Sequence, residues 1–166
     1  IKLVMQIALK FNRKIGMVGR SIDENMEDAR ALGYLNDLPT GIYISEEKVA
    51  KYDPKNICLI VAGSQGQVSS ALSRMVSGEH KVKISKGDTV LISGDPIPGN
   101  EKAVAFLIDS LSRIGARVLH SRVNDSLHVS GHAKREELKL LLGLTRPKFI
   151  MPIGGTYAHM FEYKKL

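Results

Sequence analysis

Two histidines, His128 and His132, lie four residues apart in the stretch HVSGHAKREE and enclose a Ser130–Gly131 pair. On a helix this spacing would place both imidazoles on one face, where they could bind a metal ion. Val129, Ser130 and Gly131 disfavour a helix interior, so a strand end followed by a turn into a helix explains the stretch better. In that arrangement His132 lies near a helix N-terminus, where it could bind phosphate or transfer a proton. His128 is as readily a structural strand residue.

The other metal-binding or nucleophilic side chains do not complete a site. Zinc requires three or four protein ligands, but His80, His120 and His159 are scattered, and the sequence contains no H-x-H-x-D-H or C-x-x-C cluster. His80 lies in a polar turn, where we expect it to be solvated, and Cys58 lies in an apolar stretch, where we expect it to be core. We therefore expect no metal site and no bound cofactor in this chain by itself.

The composition fits one globular domain with a substantial core. Of 166 residues, 43% are hydrophobic and 25% charged, and no apolar run approaches the length of a membrane span. Cys58 is the only cysteine, so no internal disulfide can form, which fits a reducing compartment. We expect a cytoplasmic protein with no membrane partner. Ile1 begins inside a helical pattern and residues 161–166 start a helix without closing it, so we expect a fragment of a longer protein.

The net charge of +7 is distributed unevenly along the chain. Residues 1–110 contain 14 Lys and Arg against 13 Asp and Glu, whereas residues 111–166 contain 10 against 4. The excess therefore lies in the third of the chain that contains His128 and His132. A basic surface favours an anionic partner such as nucleic acid, although many basic proteins bind nothing acidic in particular.

Short apolar stretches alternate with amphipathic ones, which predicts an α/β fold: a doubly wound, mainly parallel sheet with helices on both faces. The predicted strands are residues 14–19, 57–63, 88–94, 116–121 and 148–155. The predicted helices are residues 3–11, 21–32 with a Ser21–Glu24 capping box, 69–76, 104–114 ended by Gly115, and 133–142 ended by Gly143.

The loops that follow the predicted strands are rich in Gly, Ser and side-chain donors. They are GRSID (19–23), GSQGQ (63–67), SGDPIPGNE (93–101), SGHAK (130–134) and GGTY (154–157). In an open α/β sheet, ligands bind at the carboxyl ends of the strands, and such loops let backbone N–H groups approach an anion. A single loop of this kind is adequately explained by turn geometry. Five together favour a phosphate-binding crevice.

The order and content of these stretches resemble the β-CASP portion of ribonuclease J, in the metallo-β-lactamase superfamily of nucleases. The matching stretches cover nearly the whole chain and are residues 13–35, 63–75, 95–102, 128–142 and 146–160. The resemblance implies a β-CASP domain at residues 1–120 and, at 121–166, the C-terminal segment that returns to the metallo-β-lactamase domain. It also implies zinc in the complete protein, with most ligands outside this chain.

The resemblance assigns roles to particular residues. His132 maps to the histidine that contacts the scissile phosphate or assists proton transfer beside the metal centre. A nucleotide phosphate pocket maps to His128, Ser130 and Gly131. The loop facing the RNA maps to Ser64, Gln65 and Gly66, and Arg20 and Ser21 of the first loop are further candidates for RNA binding.

One position departs from the pattern of the resembled family. That family usually has a Pro-Val-His-Gly-Glu stretch after the last strand, with the histidine as a metal ligand. The matching run here is PIGGT, with Gly154 at the histidine position and Thr156 at the glutamate position. Glycine has no side chain to coordinate a metal, so the full protein would bind its second metal weakly, recruit another ligand, or be inactive. His159 is not a replacement, because the family has a histidine there as well.

Three functions remain open at this point. The leading one is the RNA-binding and catalytic-cleft portion of a metal-dependent ribonuclease J-like phosphodiesterase acting on single-stranded RNA, with a possible homodimer in the complete protein. In that enzyme a zinc-bound hydroxide would attack the phosphodiester, and His132 would assist. The second is a non-catalytic RNA-binding subunit with a degenerate metal centre. The third is an α/β protein that binds small phosphorylated molecules.

Overall fold

The computed structural model describes residues 1–121, 123, 127 and 131–166, and the chain divides into two compact units, Ile1–His128 and Val129–Leu166. The first unit contains four helices and five strands in its described part: α1 (Lys2–Lys10), β1 (Lys14–Val18), α2 (Arg20–Ala31), β2 (Tyr43–Ile44), β3 (Ile57–Val61), α3 (Ala71–Ser77), β4 (Thr89–Ile92), α4 (Glu101–Ile114) and β5 (Arg117–His120). Short 3-10 helices lie at Thr40–Ile42, Glu46–Lys51 and Pro54–Asn56.

All strand pairs in the described part of the first unit are parallel, which confirms the predicted α/β class. The strands form two sheets, with the orders β2-β1-β3 and β4-β5. Val18 pairs with Val61 at the ends of β1 and β3, and Ile92 pairs with His120 at the ends of β4 and β5. Apolar packing joins the two sheets, because Val61 of β3 packs on a buried cluster that contains Ile92.

Helical segments cover both faces of the β1–β3 sheet. Ile15 and Met17 of β1 face a buried cluster with Met5 of α1 and Met26 of α2. Val18, which has the opposite side-chain direction, belongs to a second cluster that contains Val49 of a 3-10 helix and Met75 of α3. Strands covered on both faces have near-continuous apolar sequences, which is the pattern that predicted them.

A third cluster is built on α4, the longest helix. Leu107 and Leu111 are buried against Leu72 of α3 and Ile92 of β4. The helix ends at Gly115, which has a left-handed backbone with φ +90°. The predicted apolar face and the predicted end of this helix are both confirmed.

The predicted capping box of α2 is wrong. The helix begins at Arg20, with Gly19 (φ +119°) as its N-cap and no side-chain cap. Ser21 therefore lies inside the first turn, where its carbonyl oxygen accepts a 2.6 Å hydrogen bond from the Asn25 side chain. A side chain at this cap position would collide with Ala62, whose Cβ lies 2.8 Å from the position of an added Cβ, so the position requires glycine.

The second unit contains α5 (Arg135–Thr145) and α6 (Tyr157–Tyr163) in its described part. Helix α5 continues through Gly143, the predicted end, and stops where Arg146 adopts a left-handed backbone with φ +42°. The predicted strand at residues 148–155 is absent from the described structure. A strand requires backbone partners, and this segment is instead exposed, with Phe149 at 85% and Ile153 at 95%.

None of the described helices combines the length and the apolar character needed to cross a lipid bilayer.

Candidate nucleic-acid interface

The loops after β1 and β3 lie side by side at the carboxyl edge of the first sheet. The Ala62 N–H donates a 3.0 Å hydrogen bond to the Val18 carbonyl, which extends the pairing of β1 and β3 by one residue. Gly19 then approaches Ala62 closely enough to exclude a side chain. This contact places the predicted site residues Arg20 and Ser21 next to the chain that leads into the 63–67 loop. Both side chains are exposed.

The 63–67 loop is a tight turn with two glycines in the left-handed region. The Gly66 N–H donates to the Gly63 carbonyl at 3.1 Å, and φ is +114° at Gly63 and +71° at Gly66. An added Cβ on Gly63 would lie 2.2 Å from the Ser70 hydroxyl, which caps α3 by accepting a hydrogen bond from Ser73 N–H. The glycines are thus required by close packing as well as by the turn.

Gln65 joins this loop to the loop that follows β4. Its side-chain Nε2 donates to the Asp95 carbonyl at 3.0 Å, and its Oε1 accepts from the Ile97 N–H at 2.8 Å. Gly66 is pressed against the first turn of α4, because an added Cβ would lie 2.7 Å from the Ala103 carbonyl carbon and oxygen. Ser64 is half-buried and makes no side-chain hydrogen bond to another residue in the described part of the chain.

The loop after β4 is in turn joined to the end of β5. The Ser121 hydroxyl donates to Asp95 Oδ1 at 2.5 Å. Strand pairing places Ile92 beside His120, so the residues that follow them begin at the same sheet edge. The structure therefore brings together the ends of β3, β4 and β5.

The remaining predicted site residues lie elsewhere or outside the described residues. Gly131 and His132 belong to the second unit and are exposed. His132 precedes α5, whose N-terminus is closed by a 2.6 Å hydrogen bond from the Lys134 N–H to the Glu137 carboxylate. His128 and Ser130 lie outside the described residues.

The described residues do not fit a zinc ion. No group of three or more His, Cys, Asp or Glu side chains among them could hold a metal. His159 Nδ1 accepts a 3.0 Å hydrogen bond from the Thr156 N–H and so caps α6. Gly154, at the position where the sequence pattern would place a ligand, has φ +87° and no atom within 4 Å of an added Cβ.

His80 is buried, which corrects the expectation that it is solvated. Only 7% of it is exposed. Its Nδ1 accepts a 3.1 Å hydrogen bond from the Val82 N–H, and its Nε2 lies 3.6 Å from Glu46 Oε1. The surrounding residues Glu79, Lys81 and Lys83 are charged and exposed, so nothing in the local sequence signals that the imidazole turns inward.

Burial is the main cause of a raised pKa at two side chains of the first unit, Cys58 and Asp23. Burial raises the pKa of the Cys58 thiol, against a smaller lowering by Arg13, and the side chain packs against the first buried cluster. This placement confirms the expectation of a core cysteine and disfavours a reactive thiolate. Burial also raises the pKa of Asp23, in α2, and the negative charges of Glu46, Glu27 and Glu47 raise it further.

Comparison with known proteins covers the whole chain. Residues 1–111 match the family "Ribonuclease J, beta-CASP domain", and residues 117–166 match "Zn-dependent metallo-hydrolase RNA specificity domain". The chain is 43% identical over 97% of its length to a Ribonuclease J of Helicobacter pylori, of which it covers 23%. It is 37% identical over its full length to a Ribonuclease J of Synechocystis and 38% identical to the Ribonuclease J2 of Bacillus subtilis, covering 26% and 30% of them.

The chain thus spans between about a quarter and a third of the length of these curated relatives. The β-CASP match alone covers more than half of the chain, and the relatives agree on one family name. The chain belongs to the ribonuclease J β-CASP family.

Proposed function

We propose that this chain supplies the RNA-contacting loops and the phosphate-contacting histidine of a metal-dependent ribonuclease that cleaves single-stranded RNA. The observation that carries the proposal is that strand ends of both sheets are joined along one edge in a chain of this family: Gln65 and Asp95 connect the ends of β3, β4 and β5. Such an edge is where open α/β sheets bind ligands.

The proposal divides the chain into a β-CASP domain at residues 1–120 and a returning segment of the metallo-β-lactamase domain at 121–166. The two family matches, which end at residue 111 and begin at residue 117, support this division. It places zinc in the complete protein, with most ligands outside this chain, because the described residues hold no suitable cluster. A cytoplasmic location and a homodimer of the complete protein belong to the same proposal.

In this proposal RNA lies along the strand ends. Arg20, Ser21 and the 64–66 loop face the RNA backbone from the first unit, and Gly131 with His128 and Ser130 hold a phosphate. The uneven charge supports an anionic partner, since residues 111–166 carry 10 Lys and Arg against 4 Asp and Glu. When bound, the metal would supply charge stabilisation at the phosphate. His132 would contact the phosphate and transfer a proton.

The catalytic part of the proposal is tested by replacing His132 in the full-length protein. His132→Ala should lower turnover of 5′-labelled single-stranded RNA by about 10²–10⁴-fold, the usual range for a lost proton-transfer group. RNA affinity should change much less. Metal content and thermal unfolding of the variant serve as controls. Full turnover with an unchanged metal content would show that His132 is structural.

The binding part is tested with the 166-residue chain. We expect weak binding of single-stranded RNA, with a log–log salt slope of roughly 0.7 for each phosphate neutralised. We also expect no cleavage by this chain with added zinc or manganese, because its described residues hold no metal cluster. Fluorescence titration over a range of salt concentrations measures the slope. Binding that is absent at low salt, or that favours mononucleotides over long RNA, would point to a small-molecule phosphate site instead.

A non-catalytic RNA-binding subunit is the second candidate, and Gly154 is the observation that favours it. Its left-handed backbone and missing side chain leave nothing to coordinate a metal at that position. The two candidates separate in the full-length protein: bound zinc with RNA cleavage supports the enzyme, and RNA binding without cleavage supports the subunit.

A further inference from the structure

We propose that Gln65 is a positioning residue: its amide clamps the 63–67 loop to the 95–97 loop and so shapes the RNA-facing edge without contacting RNA itself. This inference rests on the proposed function for its consequence, and on the described contacts for its geometry.

The Gln65 amide makes a hydrogen bond at each of its two ends. Nε2 donates to the Asp95 carbonyl at 3.0 Å, and Oε1 accepts from the Ile97 N–H at 2.8 Å. These two backbone groups lie two residues apart, so the amide pairs with the loop as a neighbouring strand would. The two bonds fix the orientation of the amide toward the 95–97 loop.

The Gln65 contacts stand in for backbone pairing between β3 and β4, which is absent from the described residues. The 63–67 loop follows β3 in one sheet, and the 95–97 loop follows β4 in the other. In the described part of the chain, no strand pairing joins β3 to β4. Between the strands that precede these loops, apolar side chains hold the two sheets together, as the packing of Val61 on the cluster with Ile92 shows. Dispersion packing is not directional, so polar contacts are needed to fix the loops above it.

The 63–67 loop is also held by a second contact, between Gly66 and α4. Gly66 sits so close to Ala103 in the first turn of α4 that an added Cβ would be 2.7 Å from the Ala103 backbone. Gln65 and Gly66 therefore anchor adjacent residues of one turn to the 95–103 segment. Ser64, the third residue of this loop with a proposed RNA role, remains as the side chain that RNA can reach.

The clamp extends to the end of β5 through Asp95. Its carbonyl accepts from Gln65, and its carboxylate accepts from the Ser121 hydroxyl at 2.5 Å. Residue 121 begins the segment that leads to the proposed phosphate pocket at 128–132. Gln65, Asp95 and Ser121 thus form one hydrogen-bonded chain across three strand ends, and loosening the first member should disturb the RNA-facing edge as a whole.

The direct test is hydrogen exchange of the Ile97 amide in the RNA-free, full-length protein. Each hydrogen bond typically shifts a local opening equilibrium by about 2–12-fold, and Gln65→Ala removes two. We expect Ile97 exchange to accelerate by roughly 10-fold or more. Gln65→Glu should have an intermediate effect, because a carboxylate can accept from Ile97 but cannot donate to Asp95.

The functional readout is cleavage and binding of single-stranded RNA by the same variants. We expect Gln65→Ala to lower kcat/KM by about 10-fold, Gln65→Glu to recover part of it, and Ser121→Ala to lower it by a few-fold. Gln6→Ala is the matched control, since the Gln6 amide donates to Asp37 on the surface, far along the chain from both loops. It should leave Ile97 exchange and RNA cleavage unchanged.

The outcomes are separable. Lost RNA affinity with unchanged Ile97 exchange would show direct RNA contact and overturn the proposal. Faster exchange with unchanged RNA binding and cleavage would show a purely structural clamp and overturn it as well. If the wild-type protein neither binds nor cleaves RNA, the proposed function fails, and Ile97 exchange still reports whether the clamp exists.

Discussion

The two units of the chain differ in what holds them together. Ile1–His128 contains three clusters of buried apolar side chains around parallel strands. In Val129–Leu166, no described residue is buried, and large apolar side chains such as Leu144 and Phe149 are 75% and 85% exposed. Helices α5 and α6 nevertheless form there. Local capping and propensity can therefore define a helix without supplying a core, and stability in globular proteins comes mainly from packing.

The functional residues follow the same division. The loop contacts of Gln65, Gly66 and Asp95 lie in the first unit, whose core can hold them within tenths of an ångström. His132 lies in the second unit, whose described part contains no buried residue. The comparison predicts that substitutions in the first unit act through the fold, and that those in the second act on function with little effect on the fold of this chain.

The largest expected difference lies between two leucines. Leu111→Ala empties a site that is 0% exposed and should lower the free energy of unfolding by about 2–5 kcal/mol. Leu144→Ala, at a 75% exposed site, should change it by less than about 0.5 kcal/mol in the 166-residue chain. Urea unfolding measures both. A loss at Leu144 as large as that at Leu111 would mean that the second unit is packed in solution.

Two glycines give the next comparison. Gly66→Ala puts a Cβ against the Ala103 backbone at a residue with φ +71°, so we expect a loss of about 1–3 kcal/mol. Gly131 has no positive φ, and no described atom lies within 4 Å of an added Cβ, so Gly131→Ala should leave stability unchanged. Thermal unfolding measures the stability of both variants, and RNA titration measures their binding. Gly131→Ala should weaken RNA binding alone, and a matching loss of stability would contradict the division.

Gly154 tests whether the second unit tolerates a metal ligand. Gly154→His should strain the backbone at residue 154, because φ is +87° there, with little effect on unfolding of the 166-residue chain. In the full-length protein it should also raise the zinc content, since the space around an added Cβ is open. Gly154→Ala is the matched control, with the same backbone strain and no imidazole. Equal zinc contents in the two variants would show that residue 154 does not face a metal.

The smallest expected effect is electrostatic and lies in the first unit. Burial raises the pKa of Asp23 above 3.8, so the folded state binds more protons, and stability falls as the pH rises through this window. Asp23→Asn removes that loss and should stabilise the chain near neutral pH by less than about 0.5 kcal/mol. The gain should vanish below pH 3.8.

The pKa of Asp37 is shifted in the opposite direction, so stability should depend on pH in the opposite sense. The hydrogen bond from Lys2 lowers the pKa of Asp37 below 3.8, so its contribution is present above that pH and is lost as the pH falls further. Asp37→Asn should therefore destabilise the chain near neutral pH. Thermal unfolding across pH distinguishes the two variants, and equal shifts in both would contradict these assignments.

Sequence patterns located most elements of the first unit, because the signals are local. The apolar stretches at residues 14–19 and 57–63 became β1 and β3, and the apolar face at 104–114 became α4 with Gly115 at its end. The same patterns failed where a local signal had a competitor. Ser21 does not cap α2, because the helix begins at Arg20, directly after Gly19, which lies against Ala62. Gly143 does not end α5, which continues to Thr145.

The segment 148–155 shows the limit of composition. Its apolar residues favour a strand, but a strand is defined by backbone partners from elsewhere in the protein, and the described residues provide none. His80 shows the same limit for a single side chain. Its polar neighbours in sequence predicted solvent, whereas the Val82 N–H and Glu46 hold it inside.

The sequence by itself determined the α/β class, most elements of the first unit, the glycine-rich loops and the family, because each depends on residues a few positions apart or on the match of whole stretches. Only the tertiary structure decided which of those loops contact one another. Gln65 and Ile97 are 32 residues apart and meet because two separate sheets pack through Val61 and Ile92. Residue type alone could not reveal that both ends of the glutamine amide bond to the protein's own backbone.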